Sequence, residues 1–247
     1  MNTPARSQQS VATLHNAIAT PTVIDVSSHT FSGVIYDSNG LICRNAQRTR
    51  DGCNEWQPSD PEVISASDLY PILLGRSLYL GHYTGHYGHF LLESLSRLWA
   101  LSGLTLSDSI YERVIFHPFL HKTPPVRGFS PAQMCFASFG ISPQHVRLVD
   151  EPLRFESLTV PSAMLLINQS VDPSLSSTYK KIVAHCLSRE SSRLGFWRKL
   201  AGWPESGPLR LYLSRRQAKG FHPMLNERQV ERVFVDAGFR GLPPEKW

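Results

Sequence analysis

The stretch SLYLGHYTGHYGHFLLESLSRLWALSGL, residues 77–104, constrains the fold most. Its first seven residues, Ser77 to Tyr83, read as a short buried strand that ends in small and polar side chains. From His89 onward the apolar residues recur at helical spacing, and Gly103 stands where the helix should end. Gly85 and Gly88 lie between the two. A buried strand handed to an apolar helix through a short glycine-bearing link is the unit from which parallel α/β layers are built.

The flanking sequence repeats this alternation. TVIDV (22–26) and FSGVIYDSNGLICR (31–44) read as strands, with Asp37-Ser38-Asn39-Gly40 forming a hairpin turn. RVIFH (113–117) is a short apolar strand, PAQMCFASFGI (131–141) a short helix, and VRLVD and FESLTVP (146–161) further strand-like pieces. After Pro161 come a helix over 172–193, a strand in LRLYLSRR (209–216) and a helix over 226–239, with Asn226 as N-cap and Gly238 near its end. The expected division is a disordered polar tail over 1–21, an α/β domain over 22–161 and a second, partial domain over 162–247.

In 247 residues, 41% apolar and 18% charged, a sizeable core is affordable. No apolar run reaches membrane-spanning length and no secretory pattern opens the chain, so a cytoplasmic location is expected. Cys43, Cys53, Cys135 and Cys186 contain no C-x-x-C pair, which favours reduced thiols over a disulfide framework. The net charge of +5 is carried by 19 Arg and 6 Lys. Guanidinium groups suit phosphate, although base composition in the gene produces the same ratio.

On a regular helix from His89, side chains four apart share a face, so His89, Glu93 and Arg97 form a polar stripe while Leu91, Leu92, Leu95, Leu98 and Trp99 cover the rest. Buried charges must be paired or face water. The stripe therefore either borders a functional cleft or serves stability, with Glu93 bridging to Arg97 and His89 capping the helix. Gly85 and Gly88 would let backbone amides approach an anion at the helix start. His82, His86, His89 and Glu93 also allow a metal reading, which the glycines oppose because they make residues 82–88 more loop than helix.

The segments HYGHFLLESLSRLW (86–99), LYLSRR (211–216) and LNE (225–227), in this order and separation, resemble the motifs of glycosyltransferase family 61, the group that contains bacterial capsular-polysaccharide transferases. The matching residues are Tyr87, Gly88, His89, Leu91, Glu93, Leu95, Arg97 and Leu98, then Tyr212, Leu213, Ser214, Arg215, Arg216, Asn226 and Glu227. His86 stands where that family usually has Asn, Phe90 where it has Trp, and His222-Pro223-Met224 where a basic residue commonly precedes N-E. The family pattern continues with further strands and a histidine- and glycine-bearing loop that this sequence lacks, so the resemblance implies an incomplete second domain.

What the resemblance implies is a GT-B-like α/β protein with two Rossmann-like domains facing a cleft, the second incomplete. Its implied activity is inverting transfer of a sugar from a nucleotide-sugar donor to a glycan or lipid-linked saccharide acceptor in polysaccharide biosynthesis. His89 or Glu93 would be the catalytic base. Arg215, Arg216, Ser214, Lys219 and Gly88 would hold the donor, with Arg97, His86, Asn226 and Glu227 in support. No metal, cofactor or nucleic acid is implied. SRLGFWRKLAGW (192–203) mixes basic and aromatic residues, which suits either peripheral contact with the inner membrane surface or core packing at a helix end. The rival readings are a non-catalytic remnant that binds glycan or a partner protein, and a metal-dependent hydrolase built on His82, His86, His89 and Glu93.

Overall fold

The computed structural model describes residues 9–25, 30–47, 49–50, 53–54, 56–57, 64–84, 89–119, 131–166, 170–200, 211–214 and 226–242. Contacts divide the chain into two units, Met1–Arg189 and Glu190–Trp247. The division falls inside the long helix Leu175–Leu200 rather than after Pro161. Residues 162–189 group with the first unit because Met164 and Leu175 are buried and Ile182 joins its core.

The first unit is built on a curled, mostly parallel six-stranded sheet, a half-barrel. In chain order its strands are β1 (Val11–Ala19), β2 (Ile35–Tyr36), β3 (Ile72–Thr84), β4 (Arg113–Phe119), β5 (Val146–Leu148) and β6 (Leu153–Pro161). Their spatial order is β5-β4-β3-β6-β1-β2. The four strands from β5 to β6 run parallel, and β1 and β2 close one edge antiparallel. The expected hairpin turn is present: Gly40 N–H donates to Asp37 O, and the Asp37 carboxylate accepts from the amides of Asn39 and Leu41.

Alternation along the strands sends side chains to two cores. Leu78, Leu80, Val114 and Phe116 pack on one face against Leu95, Leu98, Leu101, Phe136 of helix α1 (Pro131–Ala137) and Ile182 of helix α2 (Leu175–Leu200). Tyr79, Ile115, Phe155 and Val160 face the other way, against Ala17, Ala19, Ile35 and Cys43. Each leucine fully covered in this way contributes about 2 kcal/mol.

Two expectations are corrected here. Residues 11–19 belong to the fold, since β1 pairs along nearly all of β6 from Val11 opposite Pro161 to Ala19 opposite Leu153. Its alternation is broken at Asn16, whose φ of 51° is left-handed, which is why the strand period is hard to see in VATLHNAIA. The segment after β3 is not one regular helix either. It is a π-helical turn, Phe90–Ser94, followed by a 3₁₀ turn, Leu98–Leu101, and Leu92 is exposed. Gly103, with φ of 80°, ends it as expected.

The second unit contains strand β7 (Leu211–Leu213), helix α3 (Glu227–Asp236) and strand β8 (Arg240–Leu242), with β7 and β8 parallel. The sequence reading missed β8, which is only three residues long. Tyr212 stacks on Phe234 at 4.6 Å, and Phe234 meets Phe239 edge-on at 5.2 Å, so an aromatic row joins strand to helix. Among the described residues no helix is long and apolar enough to cross a membrane. Side chains of the 192–203 segment lie outside the described residues.

Candidate functional site

In parallel sheets ligands bind beyond the carboxyl ends of the strands, and β3 ends at Thr84, close in sequence to His89. Residues 85–88 of the connection, Gly88 and His86 among them, lie outside the described residues. His89 Nδ1 contacts Glu93 Oε1 directly. Of the two side chains the imidazole is the outer one, 47% exposed, and the carboxylate the inner one, 11% exposed. A carboxylate on Nδ1 fixes the ring's orientation and tautomer, so any proton exchange by this ring would run through Nε2.

The turn that carries this pair is braced from several sides. The Ser94 hydroxyl donates to His82 O at 2.8 Å and accepts from Thr84 N–H at 3.3 Å, fixing the turn to the end of β3. The Ser96 hydroxyl donates to Glu93 O at 2.7 Å, and Met164 N–H donates to Ser96 O. Trp99 Nε1 donates to Ser162 O at 2.8 Å. From α2, the Tyr179 hydroxyl donates to Leu91 O at 2.5 Å.

Arg97 does not continue the stripe. It is 4% exposed and turned into the protein, donating to Asn45 O at 2.7 Å, Pro161 O at 3.1 Å and Gln47 O at 3.4 Å. Its guanidinium lies 5.8 Å from the centre of the Tyr79 ring. Burial pulls its pKa below the ordinary arginine value, while Tyr79, Cys43 and Glu93 act in the opposite direction. Arg97 is thus a clamp between β3, the end of β6 and the turn at Arg44–Ala46, and the bridge to Glu93 expected of a regular stripe gives way to main-chain carbonyls.

Beside it lies a buried polar group that sequence reasoning missed. His117 on β4 is wholly buried, with Nδ1 2.8 Å from the Tyr79 hydroxyl and Nε2 2.9 Å from Thr20 O. His82 stacks on it, ring centres 5.4 Å apart. Burial pulls the pKa of His117 down to about 4, against the bond to Thr20, which raises it. No local motif marks these residues, because the strands that bring them together are remote in sequence. His82 is 4% exposed, and among the described residues no group of three or more His, Cys, Asp or Glu is placed to hold a metal ion.

In the second unit, Ser214 is buried at the end of β7, and Arg215, Arg216 and Lys219 lie outside the described residues. Glu227 is 3% exposed and accepts a 2.6 Å hydrogen bond from the Tyr212 hydroxyl. Asn226 occupies the N-cap position of α3, but its main-chain carbonyl, not its side chain, bonds the first turn. Two surface clefts, of about 590 and 420 Å³, open near the amino ends of β3 and β4 and share Glu112, away from His89 in the strand direction. No model of a known protein family matches the chain, and no curated protein matches it.

Proposed function

We propose that the chain is an inverting glycosyltransferase that moves a sugar from a nucleotide-sugar donor to a glycan or lipid-linked saccharide. The observation that carries this reading is the His89–Glu93 contact: an outer imidazole steered by an inner carboxylate, on a braced turn beyond the end of a parallel strand. The motif resemblance supplies the reaction class. GT-B architecture belongs to the same proposal, with the curled α/β sheet in keeping with a Rossmann-like half.

In this reading His89 Nε2 takes the proton of the acceptor hydroxyl as that oxygen attacks the anomeric carbon. The bond from that carbon to the diphosphate breaks on the opposite face, which inverts the configuration. Glu93 holds the ring and stabilises the imidazolium that forms. Arg215, Arg216 and Lys219, with Ser214 and Gly88, neutralise and hold the departing nucleotide diphosphate, as bidentate guanidinium groups do. The chain works in this reading without a metal, at the cytoplasmic side of the membrane where lipid-linked acceptors are presented.

The test is release of nucleotide diphosphate from a panel of nucleotide sugars with saccharide acceptors, compared for the wild-type chain, His89→Ala and Arg215→Ala. Transfer abolished in His89→Ala, with diphosphate binding weakened by salt and by Arg215→Ala, is the expected result. Absence of nucleotide diphosphate binding in the wild-type chain would overturn the proposal in favour of a non-catalytic glycan-binding protein.

A further inference from the structure

We infer that Tyr179 is a positioning residue for the His89–Glu93 pair, acting through the π-helical turn Phe90–Ser94; its catalytic meaning rests on the proposed role of that pair. The turn is closed by a bond from Leu95 N–H to Phe90 O at 3.2 Å, spanning five residues instead of four. Such turns are rare and concentrate at functional sites, because the wider ring disturbs the ordinary ladder of carbonyls and amides. Here hydroxyl groups take up carbonyls of the turn: Ser96 that of Glu93, and Tyr179 that of Leu91. Ser96 belongs to the same segment, whereas Tyr179 reaches in from α2 and ties the turn to a separate element.

The wider turn and the tighter ones directly after it decide which side chains face out. On a regular helix, residues four apart differ by only about 40° around the axis. Glu93 would then follow Arg97 into the interior, and His89 would follow Glu93. Instead Arg97 is buried among the carbonyls of Asn45, Gln47 and Pro161 while His89 remains half exposed. The π turn, followed at once by three-residue turns closed by Ser96 N–H to Glu93 O and Leu98 N–H to Leu95 O, makes the phase change that separates the inward clamp from the His89–Glu93 pair. A hydroxyl that holds Leu91 O therefore holds that phase.

Tyr179 is held in place by its own packing: its ring lies against the core cluster of Leu95, Phe136 and Ile182. Two residues on, Lys181 Nζ donates to Leu104 O and lies 4.4 Å from the centre of the Phe139 ring, a contact at the far end of the segment that does not touch the π turn. Burial pushes the Tyr179 phenol up from its ordinary value, which keeps it a donor across the neutral range.

The experiment uses the full chain with Tyr179→Phe, which keeps the ring and its packing, and Lys181→Met as a matched control on the same helix. Two readouts are followed by mass spectrometry and NMR: hydrogen exchange at the Leu95 amide, and acylation of His89 by diethyl pyrocarbonate, which reaches exposed neutral imidazoles. Tyr179→Phe is expected to loosen the turn, speeding exchange at Leu95 by about tenfold, the loss of one hydrogen bond, and slowing acylation of His89 severalfold as the ring leaves its outward setting. Lys181→Met is expected to move neither. Unchanged exchange and acylation in Tyr179→Phe would overturn the inference. So would faster exchange spread evenly over the strand amides of Leu78 and Phe116, which marks simple loss of stability, or an equal response in Lys181→Met. Neither readout involves a sugar nucleotide, so failure here and failure of the transferase reading are told apart.

Discussion

Arg97 lies against Gly81: a Cβ built on that glycine would stand 2.6 Å from Arg97 Nη1 and 3.5 Å from its Cδ. Gly81 has φ of 91° and sits where the β3–β4 register shifts between Tyr79 and His82. The end of a long side chain can usually move aside, but this guanidinium is engaged with three main-chain carbonyls and buried. Gly81→Ala is therefore expected to cost about 3 kcal/mol, combining backbone strain with displacement of a buried cation. Gly103→Ala is the control, because Gly103 has a similar φ of 80° and nothing within 4 Å of the added atom. It should cost about 1 kcal/mol, the strain alone. Urea unfolding of both variants measures the difference, and equal costs would show that Arg97 yields freely.

Stability should depend on pH through His117. Its folded pKa is lowered to about 4 by burial, while an unfolded histidine titrates near 6.5. Between these values the unfolded chain binds the extra proton, so stability is full above about pH 6.5 and falls as the pH drops toward 4. The integrated loss is about 3 kcal/mol. His82 and the Tyr79 hydroxyl face the ring, and neither supplies a negative charge to receive the imidazolium. Unfolding midpoints measured across this window should decline in the wild-type chain and decline less in His117→Phe. Parallel slopes in the two proteins would assign the pH dependence to other groups.

The parts of this fold that were legible in sequence are those with local chemistry. The hairpin at Asp37 to Gly40 was legible because a side-chain acceptor and a left-handed glycine are written into four residues. Strand β3 was legible from its apolar run. The stripe of His89, Glu93 and Arg97 was half legible: the first two meet as helical spacing suggests, but the three-residue turns that follow the π turn change the phase before Arg97, and nothing in FLLESLSR announces either departure from a regular helix. The pairing of His117 with Tyr79 and Thr20 depends on three strands meeting, which no window of sequence contains. Strand β1 was not legible: exposure alternates from Val11 to Leu14, but the apolar Val11 falls on the outer side, and Asn16 then breaks the period.

The second unit offers an independent check on its own packing. Tyr212→Phe keeps the ring stacked on Phe234 and removes only the hydroxyl that donates to the buried Glu227 carboxylate. A buried carboxylate that loses a donor costs about 1–3 kcal/mol. The expected outcome is faster hydrogen exchange in the amides of α3, with those of β3 and β4 unchanged. Exchange that stays slow throughout α3 would show that this bond does not hold the helix.

Arg97 and the His89–Glu93 pair share a motif but should fail in different ways when altered. His89 is half exposed and Glu93→Gln keeps the shape of the inner side chain, so both His89→Ala and Glu93→Gln should shift the unfolding free energy by less than about 1 kcal/mol. Sugar transfer, if His89 is the base, should vanish in the first. In the second it should fall by about two orders of magnitude, the scale of a lost general-base contribution. Arg97→Lys keeps the charge but replaces a planar fork that reaches three carbonyls with a single ammonium, leaving buried acceptors unmet. It should cost about 2–4 kcal/mol in stability. Urea denaturation alongside transfer assays on the three variants separates the two roles. Retained turnover in both His89→Ala and Glu93→Gln removes the pair from the base role, and an Arg97→Lys protein as stable as wild type removes Arg97 from the clamp.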